Sequence, residues 1–250
     1  MRKLLAVFAH PDDEAFGPGG TLARYAYQGV EIHLLCATRG EGGKQQNSEF
    51  RIQNSELKTN KKETKISQIR ESELLKSAKI LGIKKVEFLG FRDGYLGNAI
   101  YHQMAEKIIR KINEFAPQIV LTAERRGVSG HLDHIATSMI TTYAYLKTKI
   151  PKKLYYYCLP QSMYDKRMQE YFIYFPEGYK EDEITTRIDY TKVWGKKVKA
   201  MTAHKSQLKD VATLLARFSL WPKIDYFILQ YYRDVKVKFP ETDFFAGINE

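Results

Sequence analysis

The sequence contains little cysteine and no long apolar run. Its two cysteines, Cys36 and Cys158, both lie inside apolar stretches of the 250 residues. This content is typical of a reducing compartment, and it offers no thiolate metal site. No apolar run is long enough to cross a bilayer, and the start lacks the pattern of a secretion signal. We therefore expect a cytoplasmic protein with no membrane partner.

The chain carries an excess of positive charge. Lysine and arginine outnumber the acidic residues by 40 to 29, which gives a net charge of +11. Such an excess is compatible with nucleic acid or another anionic surface as a partner. Much of it, however, lies in residues 58–70, 147–153 and 192–199, which resemble a loop, a helix end and an amphipathic helix. No nucleic-acid-binding motif accompanies it, so we expect solvated faces and no nucleic-acid partner.

The first 160 residues alternate between strand-like and helix-like patterns. This alternation predicts an α/β fold with a Rossmann-like open sheet, mostly parallel, and helices on both faces. The predicted strands are residues 3–9, 31–38, 86–89, 119–122 and 154–158, and the predicted helices include residues 21–26, 67–81 and 104–115. We expect one domain over residues 1–250, with a core at 1–160 and an irregular substrate-side elaboration at 161–250.

Two regions interrupt this alternation. Residues 39–65 are polar and lack apolar periodicity, which predicts a long loop over the substrate. After Cys158 the sequence is rich in aromatic residues, and a final helical stretch from 191 to about 208 precedes a Tyr/Phe-rich tail. These aromatic side chains either stack on sugar faces or pack in the core, and the sequence leaves both open.

Two polar clusters follow two of the predicted strands. Residues 10–13, His-Pro-Asp-Asp, come directly after the first strand, and residues 131–134, His-Leu-Asp-His, come after the fourth. In open α/β sheets, ligands bind at the carboxyl ends of the strands. Each cluster alone is also typical of an ordinary helix start with acidic residues in its first turn. Because the pattern occurs twice at matching places, we expect both clusters to open onto one crevice.

The residue types in the clusters predict a metal site. His10 and Asp13 are three positions apart and can face one point, and His134 supplies a third ligand from the next cluster. Imidazole with carboxylate suits zinc, whose catalytic sites commonly keep three protein ligands and one open position. Asp12 then remains free beside the metal, where it can act as general base toward a metal-activated water.

The second cluster supplies the remaining roles of amide hydrolysis. We expect His131 to stand protonated on the far side of the reacting carbonyl, where it stabilises the oxyanion or donates to the leaving amine. Asp133 would orient the ring of His131, as carboxylates next to a metal site commonly do. Together the clusters predict a metal-assisted amide hydrolase.

These motifs resemble those of the PIG-L/LmbE-like zinc-dependent N-deacetylases, which hydrolyse the acetamide of N-acetylglucosamine-containing molecules. The resemblance rests on the first cluster with Glu14 and the glycines that follow it, on the second cluster, and on four supporting segments. Those segments are residues 38–43, 70–73, 89–94 and 204–207. Two departures are Leu132, where the family usually has proline, and Ser129, where many sugar-thiol members have tyrosine.

The resemblance implies the same site residues. It makes His10, Asp13 and His134 the zinc ligands, Asp12 the general base and His131 the general acid or oxyanion partner. It further implies that Arg70 and Asp93 contact the sugar hydroxyls and that Glu41 sits near the metal crevice. His204 is expected to pack the last helix against the core. Related proteins form trimers or hexamers, so a homo-oligomer is plausible.

Three functions remain open on the sequence alone. The leading hypothesis is a zinc hydrolase that deacetylates an N-acetylglucosamine-type small molecule. The second is a non-catalytic sugar- or nucleotide-binding module, although the first strand lacks the Gly-x-Gly-x-x-Gly turn that holds a pyrophosphate. The third is a metal-dependent amidase acting on a cysteine conjugate or a peptide-like substrate.

Overall fold

A seven-stranded sheet forms the centre of the molecule. The computed structural model describes residues 1–42, 61–164 and 174–248. Its strands are β1 (Lys3–Phe8), β2 (Glu31–Cys36), β3 (Lys85–Phe88), β4 (Ile119–Ala123), β5 (Lys153–Cys158), β6 (Thr186–Asp189) and β7 (Ile224–Tyr232). They lie in the order β3-β2-β1-β4-β5-β7-β6, and β1 to β5 are mutually parallel. The predicted open, mostly parallel sheet is confirmed.

Helices cover both faces of this sheet. They are α1 (Asp13–Phe16), α2 (Gly19–Tyr27), α3 (Lys61–Leu81), α4 (Tyr101–Phe115), α5 (Gly127–Gly130), α6 (Leu132–Lys147), α7 (Trp194–Ala203) and α8 (Leu208–Leu220). Alternate side chains of β1 enter two different cores, because successive strand residues point to opposite faces. Leu4 and Ala6 pack with the helices on one face, and Leu5 and Val7 pack with α4 and α6 on the other.

The strand order brings the two polar clusters together. Strands β1 and β4 are neighbours in the sheet, with Leu4 paired to Ile119 and Ala6 paired to Leu121. The crossover from β1 runs outward to β2, and the chain returns to β4 on the other side of β1. This reversal of strand order creates a crevice at the carboxyl ends of the strands, which is the usual ligand position in such sheets.

The region after residue 160 is more regular than the sequence predicted. The Tyr/Phe-rich tail contains β7, a nine-residue strand that pairs antiparallel with both β5 and β6. The predicted helix from 191 to about 208 is wrong in its extent, because α7 ends at Ala203 and α8 begins at Leu208. Buried His204 lies in the turn between them.

The polar stretch between β2 and α3 is shorter as a loop than predicted. Helix α3 begins at Lys61, inside the segment 39–65. Its first turns were predicted as loop because they are polar and carry no apolar periodicity. Residues 43–60 of the predicted loop lie outside the described residues, as do residues 165–173 of the aromatic region. Within the described ranges, no helix has the length and apolar character needed to cross a bilayer.

Candidate metal centre and its cleft

The turn after β1 places the carboxylate of Asp13 beside the second cluster. Its Oδ2 accepts hydrogen bonds from the backbone N–H groups of Ala9 (3.1 Å) and His10 (2.9 Å). Its Oδ1 lies 3.2 Å from Nε2 of His134. Burial alone would raise the pKa of Asp13, but the neighbouring His134 and the hydrogen bonds hold it well below its usual range. Asp13 is therefore an ionised oxygen donor at the crevice.

The rings of His10 and His134 face each other through one nitrogen each. Nδ1 of His10 lies 3.1 Å from Nε2 of His134. The opposite nitrogens donate elsewhere: His10 Nε2 to Asp93 (2.9 Å) and Asp133 (3.1 Å), and His134 Nδ1 to the carbonyl of Gly127 (3.1 Å). These partners place a proton on each far nitrogen, so the two near nitrogens beside Asp13 can share one proton or bind one metal ion. Such an arrangement calls for a cation between them.

The charge around His10 supports that conclusion. Burial lowers the pKa of this imidazole, but hydrogen bonds to Asp133 and Asp93 and the charge of Asp13 raise it to about 10. Without a metal, a proton on His10 therefore supplies the positive charge that the surrounding carboxylates require. A divalent metal ion would meet the same requirement, because its ligands must be deprotonated.

The ligand set expected from the sequence is brought together, with one addition. Ring nitrogens of His10, His131 and His134 lie within 4.8 Å of one another. Asp13 joins this group through its contact with His134. Among these groups, His10, Asp13 and His134 offer two imidazoles and one carboxylate, which fit a zinc ion with a position left open, and His131 lies beside them.

Asp12 lies beside this donor set and carries a strained backbone. Its φ of 119° falls in the region that residues with a side chain rarely adopt. Arg70 donates from Nη2 to the Asp12 carboxylate (2.8 Å) and to the carbonyl of Pro11 (2.7 Å), and from Nη1 to the carbonyl of Gly40 (3.2 Å). Burial raises the pKa of Asp12 to about 6, against the opposing charge of Arg70. This value suits a group that exchanges protons near neutral pH.

The structure corrects the expected relation between Asp133 and His131. The Asp133 carboxylate faces His10, and it also accepts the N–H groups of Gly94 (2.7 Å) and Leu96 (3.1 Å). His131 is instead contacted by the Asp133 backbone, whose N–H donates to Nδ1 (3.1 Å). This is the N-cap bond of α6, and it directs the carboxylate away from the capping ring.

The protonation state expected for His131 also differs. Burial, together with the nearby His10 and His134, lowers the pKa of His131 to about 4. Because Nδ1 accepts a hydrogen bond, the proton of the neutral ring resides on Nε2. His131 is therefore a neutral N–H donor at the crevice rather than an imidazolium.

The residues expected to contact sugar fall into two groups. Arg70 and Asp93 line the cleft that contains the donor set. Glu41 turns toward the backbone, where its carboxylate accepts the N–H groups of Asp93 (3.0 Å) and Arg39 (3.2 Å). Glu41 thus shapes the loop that carries Asp93.

The cleft extends well beyond the donor set. Its volume is about 640 Å³, which is in the range of sites for drug-sized ligands. From His131 it runs past Phe16 to one face of α8, where Leu214, Arg217 and Trp221 line it. These three residues recur at helical spacing, which is the signal by which this side of the cleft could have been predicted.

Comparison with known proteins identifies the family. The profile of the PIG-L family, described as GlcNAc-PI de-N-acetylase, matches residues 5–145, more than half of the chain. The chain belongs to the PIG-L family. This match includes both polar clusters and the strands β1 to β4 that carry them.

Relatives within the PIG-L family cover nearly the whole chain. A 1D-myo-inositol 2-acetamido-2-deoxy-alpha-D-glucopyranoside deacetylase from Thermobifida fusca is 32% identical, over 86% of this chain and 86% of that protein. A mycothiol S-conjugate amidase from Streptomyces coelicolor is 26% identical, over 99% of this chain and 98% of that protein. Both named activities break an amide bond.

Solved structures share the fold at low sequence identity. An N,N'-diacetylchitobiose deacetylase from Pyrococcus horikoshii gives a TM-score of 0.64 at 20% identity, covering 90% of this chain and 82% of that chain. A 4-carboxy-2-hydroxymuconate hydratase from Pseudomonas putida gives 0.69 at 18% identity, covering 95% and 100%. The same architecture therefore accompanies two kinds of chemistry, and the fold alone does not decide between them.

Two buried glutamates of this PIG-L family chain were missed as parts of the site. Glu14 accepts the backbone N–H of Asp12 (3.0 Å), and Glu124 accepts that of Val128 through Oε1. Glu124 also accepts the hydroxyl of Tyr179 (2.6 Å). The available signals were positional: Glu14 lies within the first motif, and Glu124 directly follows β4.

Proposed function

We propose that this chain is a zinc-dependent hydrolase that removes the N-acetyl group from an N-acetylglucosamine-type amino sugar or its conjugate. The observation that carries the proposal is the pair of facing imidazole nitrogens, 3.1 Å apart, beside Asp13 and in the same cleft as Asp12. The named activities of the PIG-L relatives, a deacetylase and an amidase, support amide hydrolysis as the reaction.

Three residues would hold the zinc ion. Nδ1 of His10, Oδ1 of Asp13 and Nε2 of His134 converge on one side of the crevice. When bound, zinc supplies a Lewis acid that lowers the pKa of water toward about 7 and polarises the amide carbonyl. Asp93 and Asp133 hold the far nitrogen of His10 and so direct Nδ1 to the site.

Asp12 acts as the proton carrier. With a pKa of about 6, its carboxylate is largely ionised at neutral pH and takes a proton from the attacking water. The same carboxyl group then returns that proton to the nitrogen of the leaving amine as the C–N bond breaks. The products are acetate and a free amino sugar, and Arg70 holds the carboxylate throughout.

His131 stabilises the charge that develops on the carbonyl oxygen. Its neutral ring presents Nε2–H, because Nδ1 is occupied by the N–H of Asp133. A fixed donor of this type lowers the barrier without a change in its own protonation. Of the two roles considered for His131, this favours the oxyanion partner over the general acid.

The substrate would span the cleft. Arg70 and Asp93, which line the cleft, would contact the sugar hydroxyls, and the group attached to the sugar would lie along α8. The length of the cleft also favours a second candidate, an amidase that acts on a larger conjugate. The 26% identical mycothiol S-conjugate amidase supports that alternative.

We also propose that the chain acts in the cytoplasm as one domain. Cys36 and Cys158 are free, buried thiols, as is usual in a reducing compartment. The C-terminal strands β6 and β7 continue the sheet of the N-terminal region, which supports a single folding unit.

Release of primary amine from N-acetylated amino sugars and their conjugates tests the proposed function. We expect release by the zinc-loaded protein and loss of about 10²- to 10⁴-fold of the rate in Asp12→Asn, which keeps the zinc ligands. Chelation should abolish release, and added zinc should restore it. Amine release only from the conjugates would favour the amidase. Zinc-loaded protein that is inert on the whole panel would contradict the proposal.

A further inference from the structure

A buried carboxylate lies directly behind the proposed base. Glu14 has no solvent exposure, and its two oxygens receive donors from three parts of the chain. Oε2 accepts the backbone N–H of Asp12 (3.0 Å), while Oε1 accepts the hydroxyl of Ser77 on α3 and Nε2 of His204 after α7 (2.8 Å). Glu14 therefore joins the base to the two helices that pack behind it.

The backbone of Asp12 needs such support. A φ of 119° costs about 1–3 kcal/mol and persists only where the surroundings determine it strongly. The carbonyl of Asp12 is fixed by the N–H groups of Ala15 (3.0 Å) and Phe16 (2.8 Å). Its N–H is fixed by Glu14. This peptide geometry sets the direction in which the Asp12 side chain leaves the main chain.

Glu14 in turn needs a positive partner. A buried carboxylate is costly unless it is paired and hydrogen-bonded. His204 is equally buried, and although burial lowers the pKa of its ring, the charge and hydrogen bond of Glu14 raise it. The raised pKa favours the charged form of the ring, which donates from Nε2 to Glu14 without approaching the crevice. Ser77 supplies a further hydrogen bond to Oε1.

We propose that Glu14, held by His204 and Ser77, is a positioning residue that fixes the backbone of Asp12 and thereby the direction of its carboxylate. The kinetic form of this inference rests on the proposed function, because it treats Asp12 as the base. Its structural form, that Glu14 maintains the positive φ of Asp12, stands independently of any substrate.

The first test is Glu14→Gln, which keeps the side-chain length and presents an N–H group to at least one existing donor. We expect kcat to fall about 100-fold, since small misplacement of a catalytic group has effects of this size. KM should remain that of the wild type, because Glu14 does not line the cleft, and kcat is compared at full zinc content, because Glu14 follows Asp13 directly in the chain. A loss of stability alone would lower the melting temperature but leave kcat per folded molecule unchanged.

Two serines offer a matched pair should Glu14→Gln fail to fold. Ser77 donates to Glu14, and Ser206 donates to Glu73 (2.6 Å), another buried glutamate that is not bonded to Asp12. We expect Ser77→Ala to lower kcat and Ser206→Ala to lower only the melting temperature. Equal kcat values in both variants would overturn the inference.

Variants of His204 test the need for a donor. His204→Gln retains an N–H group that can reach Glu14, whereas His204→Leu does not. We expect kcat to decrease from wild type to His204→Gln to His204→Leu at equal zinc content. The reverse order would overturn the inference.

A readout without substrate comes from crystal structures of the zinc-loaded wild type and of Glu14→Gln. If Glu14→Gln fails to fold, Ser77→Ala takes its place. We expect the φ of Asp12 to leave the positive region in the variant, and its contact with Nη2 of Arg70 to lengthen. An unchanged Asp12 overturns the inference even if the wild type proves inert on every substrate. Inert wild type with a displaced Asp12 in the variant would instead refute the proposed function and retain the positioning role.

Discussion

The two loops that border the proposed metal centre are supported in the same way but by different partners. Each contains a residue with a side chain at positive φ, Asp12 at 119° in the loop after β1 and Val128 at 61° in the loop after β4. In each, a buried glutamate accepts the N–H of that strained residue: Glu14 for Asp12 and Glu124 for Val128. Each strained turn is therefore supported by a carboxylate from within its own loop.

The supports of the two glutamates differ. Glu14 is held by the ionisable ring of His204, and Arg70 lies across the same loop. Glu124 is held by the neutral hydroxyl of Tyr179. The loop after β1 carries Asp12, the proposed base, and the charged side chain of Arg70 contacts it. The loop after β4 presents the carbonyl of Gly127 to His134, and its arginine Arg126 lies over the ring of Tyr179.

Removing the proposed ligand at the start of α6 should have the largest effect. His134→Ala deletes one of the facing nitrogens and leaves Asp13 and His10 without their shared partner. We expect loss of stoichiometric zinc and of all amine release, measured by metal analysis of the purified protein. His102→Ala, at an exposed histidine outside the clusters, is the control and should retain both. Full zinc content in His134→Ala would remove His134 from the ligand set.

Replacing the glutamate behind the loop after β4 should weaken zinc binding without impairing the loaded site. In Glu124→Gln an amide N–H group would face groups that now donate to the carboxylate, such as the N–H of Val128. The loop would adjust, and the carbonyl of Gly127 would shift relative to His134. We expect zinc affinity to fall by about 10- to 100-fold, as for other residues that orient ligands, with kcat preserved at saturating zinc. The control is Glu177→Gln at an exposed position. A lower kcat with zinc fully bound would show that the two loops do not divide their roles in this way.

These supports mark the limit of sequence-based prediction for the site. The crevice was predictable, because each cluster follows an apolar run and neighbouring parallel strands end at one edge of the sheet. The contacts of Asp133 were not, since they depend on whether its backbone or its carboxylate meets His131. The strain at Asp12 and Val128 left no signature in residue type, because neither position holds glycine.

The fold shows a similar limit. Strands β1, β4 and β5 were predictable because they are buried on both faces and are largely continuous apolar runs. Strand β7 pairs antiparallel with β5 and β6, and its residues alternate between buried and partly exposed. It was not predicted as a strand because its aromatic residues were taken for part of an irregular tail. Helix α8 has only two fully buried residues, Val211 and Phe218, because much of it borders the cleft.

Removing the cation from the loop after β1 should change the pH dependence of activity. The charge of Arg70 lowers the pKa of Asp12, so Arg70→Met should raise that pKa and leave less ionised base at a given pH. We expect the acidic limb of kcat/KM to move to higher pH, measured from about pH 5 to 9 on zinc-loaded protein. Arg39→Met removes a half-exposed ion pair with Glu71 and should leave the limb in place. A limb that moves to lower pH would contradict the role of Arg70.

The proton held on His10 should couple zinc binding to pH. Because the pKa of His10 is raised to about 10, the ring is protonated across the neutral range in the metal-free protein. Zinc binding must displace that proton, so affinity should rise about tenfold per pH unit below that pKa. Calorimetry in buffers of different ionisation enthalpy would count the protons released. An affinity independent of pH would show that His10 carries no displaceable proton in the metal-free protein.

The smallest effect is expected from the hydroxyl that supports Glu124. Tyr179→Phe removes one donor from a buried carboxylate but leaves the N–H of Val128 in place, so the loop should keep its shape at a cost in stability. We expect the free energy of unfolding to fall by about 1–3 kcal/mol, measured by urea denaturation, with zinc affinity less affected than in Glu124→Gln. Tyr190→Phe is the matched control, because the Tyr190 hydroxyl is buried and has no hydrogen-bond partner among the described residues. Its removal should leave stability unchanged or increase it. If both variants lose equal stability, the Tyr179 hydroxyl contributes through packing alone, and the support of the loop after β4 reduces to Glu124 itself.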